Sequence, residues 1–153
     1  MLNNQNRAIL IILALLCCPL SVSASEKTLS PSPVISGQIQ HDGLTPEQAR
    51  ALLIMVLKHE TLFIDKPGFN IEHIEFVPEY INFHVTWDSP DAAATDVIGE
   101  FVVSPRTGDV WESNMCKQYA FSELKRLQTE IMKRTGWTLA GELKEREGLG
   151  CNQ

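Results

Sequence analysis

Two histidines and a glutamate lie close together in the sequence and could bind a metal ion. His73, Glu75 and His84 flank the dipeptide Pro78-Glu79, which can form a two-residue turn. If that turn is tight, His73 faces His84 across an antiparallel strand pair. Two imidazoles and a nearby carboxylate can hold zinc, so these three residues form a candidate metal or small-ligand site. No His-Glu-x-x-His or Cys-x-x-Cys spacing accompanies them, and solvent-facing or helix-covered histidines are the alternative.

Acidic residues are concentrated in the middle of the chain. From Asp65 to Glu100 the sequence has eight acidic residues and one basic residue, Lys66. An acidic edge or loop would speed the encounter with a cationic partner and fix its orientation. A solvated face on an acidic protein is the alternative. The candidate partner-binding residues are Asp88, Asp91, Asp96 and Glu100.

The same acidic residues could instead catalyse hydrolysis, because paired carboxylates can serve as general acid and general base. Such a pair needs an apolar enclosure that raises the pKa of one carboxyl, and the sequence around these residues shows none. A Gly-rich phosphate loop and the Gly-x-Ser-x-Gly nucleophile motif are also absent from the sequence. We therefore expect a protein that is not an enzyme and uses no cofactor. A small cell-wall-active enzyme is the third interpretation, after a binding protein and a metal- or ligand-binding module.

Composition limits the class of protein. The chain has 153 residues, 44% hydrophobic and 21% charged, which is typical of one soluble globular domain. Its formal net charge is −6. Nonspecific nucleic-acid binding depends on a basic surface, so we do not expect nucleic acid as a partner.

The first 24 residues have the features of a secretory signal peptide. Arg7 precedes an apolar run from Ala8 to Leu16, and Val22-Ser23-Ala24 supplies the short residues that a signal peptidase reads. The apolar run is about half the ~20 residues that span a bilayer, so we expect no stable membrane insertion. We expect cleavage near Ala24 and a periplasmic or secreted protein. The alternatives are an uncleaved anchor and lipidation, for which Cys17 or Cys18 would be the site.

Removal of the signal peptide leaves two cysteines, Cys116 and Cys151. Two remaining cysteines in an exported protein most often form a disulfide, so we predict this bridge. The alternative, a reactive thiol, needs a histidine partner and an electropositive surround. Only Lys117 beside Cys116 offers any such effect.

The order of elements predicts an α+β fold in residues 44–153, after a flexible leader in residues 25–43. Thr45, Pro46 and Gln48 are suited to open a helix with a capping box. Alternation of apolar and polar residues then predicts an antiparallel meander of three or four strands. An amphipathic helix follows and Gly136 would end it, with residues 137–153 mixed in character. We expect both helices to pack on one face of the sheet, with one disulfide.

Two segments resemble PepSY-like domains. The sequence Gly-Glu-Phe-Val-Val-Ser-Pro-Arg-Thr-Gly-Asp-Val at Gly99–Val110 is similar to the end of that family, where a strand runs into a Thr-Gly-acidic turn. The opening Thr45-Pro46-Glu47-Gln48-Ala49 is similar to the start of its helix. The resemblance, over residues 45–112, implies a small extracytoplasmic domain that inhibits or accompanies a peptidase or cell-wall enzyme.

The sequence as a whole favours an exported binding protein. Small size, an export signal, one predicted disulfide and a concentrated acidic surface are typical of an inhibitor or immunity-type protein. Its expected partner is a cationic protein, a periplasmic peptidase, cell-wall-degrading enzyme or toxin, which it would plug with its acidic loops. The metal- or ligand-binding module that uses His73 and His84 is the alternative.

Overall fold

The computed structural model describes residues 39–62, 64–91 and 94–151. The predicted signal peptide and residues 25–38 of the predicted leader lie outside these ranges. The helices are α1 (Pro46–His59), α2 (Ser122–Thr135) and α3 (Leu139–Glu147). The strands are β1 (Phe69–Ile74), β2 (Ile81–Asp88), β3 (Thr95–Val103), β4 (Val110–Glu112) and β5 (Lys117–Gln118). None of the helices within the described ranges is long and apolar enough to cross a membrane.

Helix α1 begins at the predicted capping box. The Thr45 side chain accepts a hydrogen bond from the Gln48 backbone N–H, and the Gln48 side chain accepts one from the Thr45 N–H. Two of the unpaired donors at the helix start are thereby satisfied, and Pro46 occupies a first-turn position where its missing N–H costs nothing. The sequence prediction for this helix start is confirmed.

The five strands form one antiparallel sheet in the order β1-β2-β3-β4-β5. The α+β prediction is confirmed, and the short strand β5 adds to the predicted meander. Gly108, in the turn between β3 and β4, has a φ of 71°, and Gly136 ends α2, as predicted, with a φ of 72°. Both glycines therefore adopt the left-handed conformation that their positions require.

The main core lies between α1, α2 and one face of the sheet, as predicted. From the helices, it contains Leu52, Leu53, Val56, Leu57, Leu124, Leu127 and Ile131, all nearly or fully buried. From the strands, it contains Ile71, Phe83, Val85, Phe101, Val103 and Val110. Alternate residues of each strand point to opposite faces, so this set fixes which strand positions face the helices.

The connection between β1 and β2 differs from the predicted two-residue turn. Strand β1 ends at Ile74, which lies opposite Asn82, and residues 75–80 form a six-residue loop. The register consequently differs by one residue from the prediction, with His73 opposite Phe83 and Glu72 opposite His84. A one-residue change moves every side chain of a strand to the other face. The predicted pairing of His73 with His84 is therefore wrong.

The other face of the sheet carries a smaller apolar cluster near α3. Its buried members are Tyr80, Val102, Trp111 and Cys151. Cys151 follows α3 and forms a disulfide with Cys116, with the two Cα atoms 5.3 Å apart. The bond ties the end of the chain to the segment between β4 and β5. Helix α3 is an addition to the predicted architecture, because residues 137–153 are mixed in character and show no regular apolar periodicity.

Candidate partner-binding surfaces

Three of the four predicted partner-binding residues lie together at one end of the sheet. Asp88 is the last residue of β2, Asp91 lies in the following loop, and Asp96 is near the start of β3. Asp96 pairs opposite Trp87, and the Thr95 hydroxyl donates a hydrogen bond to the Asp88 carboxylate. All three carboxylates are exposed. We call this group the acidic end.

Glu100, the fourth predicted residue, lies apart from the acidic end. It is in the middle of β3 directly opposite His84, and its carboxylate accepts a hydrogen bond from His84 Nδ1. Glu72 lies opposite His84 on the other neighbouring strand. The three residues form a row across the sheet, on the face opposite the main core.

The residues of the candidate metal site are not brought together. His73 is on the same face as Phe83, with their ring centroids 5.8 Å apart, whereas His84 is on the opposite face next to Glu100. Glu75 lies beyond the end of β1. Within the ranges that the structure describes, no group of three or more His, Cys, Asp or Glu side chains could hold a metal ion. The pairing on which the zinc hypothesis depended is absent.

A buried carboxylate cluster, which sequence reasoning missed, fixes α3 to the sheet. Its members are Asp109, Glu142 and Glu145, each at most 4% exposed. Glu145 accepts hydrogen bonds from the Ser104 hydroxyl (2.9 Å) and from Arg106 Nη1 (3.2 Å). These contacts join α3 to the turn that precedes β4.

Asp109 is the centre of this cluster. Its carboxylate accepts hydrogen bonds from Trp111 Nε1 (2.8 Å), Gln118 Nε2 (2.8 Å) and Arg146 Nη2 (3.2 Å). Arg146 also donates to the Glu142 carboxylate. Burial, together with the hydrogen bond to Asp109 and repulsion from it, raises the pKa of Glu142 to about 7. The Glu142-x-x-x-Arg146 spacing was the one sequence signal for this arrangement.

The loop between β1 and β2 presents an exposed aromatic ring. Phe76 is 70% exposed, and the charged residues Glu75 and Glu79 beside it are exposed too. Asn82 fixes the loop from below: its Oδ1 accepts from the Val77 N–H, and its Nδ2 donates to the Val77 and Tyr80 carbonyls. We call residues 75–80 the Phe76 loop. From the sequence, only Pro78-Glu79 within this segment was predicted to be a turn.

The fold and these surfaces define a class of protein. The buried carboxylates hold α3, while the exposed acidic end and the Phe76 loop lie at opposite ends of β2. Exposed charge and an exposed aromatic residue on a fixed backbone are features of protein-recognition surfaces. The molecule is a small α+β protein-binding domain.

Comparison with known proteins identifies the family. Residues 43–143 match the family described as type VI secretion system (T6SS) immunity protein Tgi2PP. The chain is also similar to a solved chain from "Structure of a type VI secretion system effector-immunity complex from Pseudomonas protegens". The similarity has 40% sequence identity and a TM-score of 0.72, and it covers 81% of this chain and 100% of that chain. The comparison with curated proteins gives no match.

The chain belongs to the T6SS immunity protein Tgi2PP family. This confirms the sequence prediction of an immunity-type binding protein. The resemblance to PepSY-like domains was wrong, because the family match over residues 43–143 is to the immunity proteins and not to PepSY. A strand followed by a Thr-Gly turn occurs in many hairpins, so the motif at Thr107-Gly108 did not distinguish the two families.

Proposed function

We propose that this immunity protein works in the periplasm, without catalysing a reaction, by binding and blocking a cationic type VI effector that is a hydrolase. The observation that carries the proposal is the acidic end, where Asp88, Asp91 and Asp96 are exposed on neighbouring strands and their connecting loop. Lys66 is the single basic residue between Asp65 and Glu100. Its Nζ lies 5.0 Å from the centroid of the Trp87 ring, which pairs opposite Asp96, so one cation offsets part of the field of three carboxylates.

The distribution of charge would orient the partner as well as attract it. From Lys117 to Arg146 the sequence has seven basic and four acidic residues, whereas acidic residues predominate from Asp65 to Glu100. Four of these bases lie on the exposed surface of α2: Lys125, Arg126, Lys133 and Arg134. A cationic effector is repelled by α2 and attracted to the acidic end, which favours one approach.

An apolar side chain lies beside the acidic end. Val97 follows Asp96 in β3 and is 61% exposed. Exposed carboxylates mainly accelerate association, while burial of apolar area slows dissociation. Val97 lies on the same face of the sheet as Asp88, which pairs opposite Thr95, so Val97 and Asp88 can make both contributions at one site.

Export is the second part of the proposal. The signal-peptide features of residues 1–24 direct the chain to the periplasm, with cleavage near Ala24. The disulfide between Cys116 and Cys151 suits that compartment, because disulfides persist in oxidising environments. An effector that attacks the cell wall or its peptides would be met in the same place.

The test is an association-rate measurement on the full chain, produced with its own N-terminus and purified from the periplasm. The chain is first used to capture the effector, which is identified by mass spectrometry and purified. Changing Asp88, Asp91 and Asp96 to Asn should slow association about tenfold at low salt and flatten its salt dependence. The matched control changes Glu123, Glu130 and Glu147 to Gln, which removes the same charge from the helices.

Two results would contradict the proposal. If the wild-type chain captures no type VI effector, the assignment of a partner-blocking role is wrong. If the triple Asn variant and the helix control associate at the same rate as wild type, the effector does not use the acidic end.

A further inference from the structure

We propose that the Phe76 loop is the apolar anchor of the effector complex, inserted into an apolar recess bordered by Lys or Arg side chains. The inference rests on the proposed function, since it assumes a cationic effector as the partner. It assigns a second contact surface, at the opposite end of β2 from the acidic end.

The first observation is that Phe76 is exposed within the part of the chain that the structure describes. Phe76 is 70% exposed, and an aromatic ring that large contributes apolar area only when something covers it. The neighbouring residues Ile74 and Val77 are half-buried and form a groove wall with Tyr80 and Asn82. Aromatic side chains are enriched among the residues that dominate binding energy at protein interfaces.

The second observation is that the loop is held in one conformation. Asn82, which is 4% exposed, makes three hydrogen bonds of 2.8–3.0 Å to the backbone of Val77 and Tyr80. Tyr80, at the end of the loop, is buried with Trp111 and Cys151. A rigid loop loses little conformational entropy on binding, so more of the contact energy appears as affinity.

The third observation is backbone strain at the tip. Glu79 has a φ of 71°, in the left-handed region that costs a non-glycine residue about 1 kcal/mol. A glycine at this position would remove the strain, yet the chain has a carboxylate there. Glu79 thus combines a strained backbone with a carboxylate that is exposed to solvent.

The charges around Phe76 specify the partner. Glu75 and Glu79, which precede and follow Phe76 in the loop, are both exposed, and Glu72 is exposed on β1. An apolar ring in an acidic loop complements an apolar recess with a basic rim. A basic rim has the same sign of charge as the cationic partner proposed for the acidic end.

One partner can contact both surfaces. Asp88 is the eighth residue of β2, counted from the end of the Phe76 loop, which gives a distance of about 25 Å at roughly 3.3 Å per residue. A standard interface buries about 800 Å² on each partner, a patch roughly 30 Å across. The edge strand β1 lies between the two surfaces, so the effector would lie along this edge.

The test compares Phe76→Ala with Met115→Ala. Met115 is 69% exposed, nearly the same as Phe76, and lies beyond β4 on the far side of the sheet. The probe is the purified type VI effector that the wild-type chain captures. Phe76→Ala should weaken binding about 30-fold or more, mainly through faster dissociation, while Met115→Ala stays within about twofold of wild type. Both variants should unfold at the wild-type temperature, because both side chains are exposed.

A second variant tests the charges. Changing Glu75 and Glu79 to Gln should slow association about threefold to tenfold at low salt and leave dissociation nearly unchanged. If the effector binds wild type and Phe76→Ala equally well, the inference is wrong while the proposed function stands. If the wild-type chain binds no type VI effector, the proposed function fails and the inference fails with it.

Discussion

Glu142 allows a quantitative test of how α3 is held on the sheet. Its carboxyl is 3% exposed and hydrogen-bonded to Asp109, with Arg146 as a counter-charge. We predict that Glu142→Gln stabilises the protein at neutral and alkaline pH. Gln keeps the shape of the side chain, its amide N–H₂ can donate to Asp109, and its carbonyl can accept from Arg146.

The magnitude follows from the pKa of Glu142, which burial and the neighbouring Asp109 raise from 4.5 to about 7. As the pH rises, the unfolded chain releases this proton before the folded protein does. The free energy of unfolding therefore falls between these two pKa values and stays lower above them, by at most about 3 kcal/mol. Since Arg146 and local adjustment of α3 reduce the cost, we expect Glu142→Gln to gain about 1–2 kcal/mol at about pH 8.

The assay is urea unfolding followed by tryptophan fluorescence from about pH 4 to about pH 8. Glu142→Gln should equal wild type at the acidic end of this range and exceed it at the alkaline end. Glu147→Gln, on the exposed surface of the same helix, serves as the control. Its free energy of unfolding should equal that of wild type across the pH range. If Glu142→Gln lowers stability, and more so at the alkaline end of the range, the ionised carboxylate stabilises α3 and the reasoning is refuted.

Two further predictions concern stability. Changing Cys116 and Cys151 to Ser should lower the free energy of unfolding, measured in urea, by roughly 3–4 kcal/mol. The reason is that the bridge closes a sequence separation of 35 residues. Equal stability of wild type and variant would show that the bond does not form. Gly108→Ala should cost about 2–3 kcal/mol, because a Cβ there would lie 2.4 Å from Ile131 Cδ1 at a positive φ. Gly136→Ala has nearly the same φ but open space around the added Cβ, so it should cost only about 1 kcal/mol, and equal losses would refute the steric argument.

The predictable parts of the fold are those that depend on local pattern. The capping box at Thr45 and the alternation of Ile81, Phe83 and Val85 involve neighbours within a few residues, so the sequence carries them directly. Residues that alternate this strictly define one buried face. The arrangement of α1, the strands and α2 could therefore be predicted.

The register of β1 against β2 could not be predicted from such patterns. It depends on the six-residue loop, which Asn82 holds through hydrogen bonds to the Val77 and Tyr80 backbone. A side chain that bonds to backbone across a loop leaves no periodic signal in the sequence. The error of one residue moved His73 away from His84 and removed the basis of the zinc hypothesis.

Helix α3 was missed for a similar reason. Its buried residues include the acidic Glu142 and Glu145, which reasoning from hydrophobicity assigns to the surface. Their partners Ser104, Arg106 and Asp109 are more than 30 residues away in the sequence. Such contacts become visible only in three dimensions.

The sequence indicated some of the exposed residues that we propose as binding surfaces. The run of acidic residues led to Asp88, Asp91 and Asp96, which the fold brings to one end of the sheet. It also included Glu100, which pairs with His84 instead. The Phe76 loop was not recognised, because exposure of an aromatic side chain depends on the loop conformation.

The most direct test of the account is survival of cells in which the captured effector is directed to the periplasm. Cells that also produce the full chain should grow at the rate of cells without effector. Cells that produce the variant with Phe76→Ala and with Asp88, Asp91 and Asp96 changed to Asn should lose viability, although the variant is exported and folded. Equal survival with wild type and variant, or lysis in the presence of the wild-type chain, would contradict the central claim that these exposed surfaces neutralise a periplasmic effector.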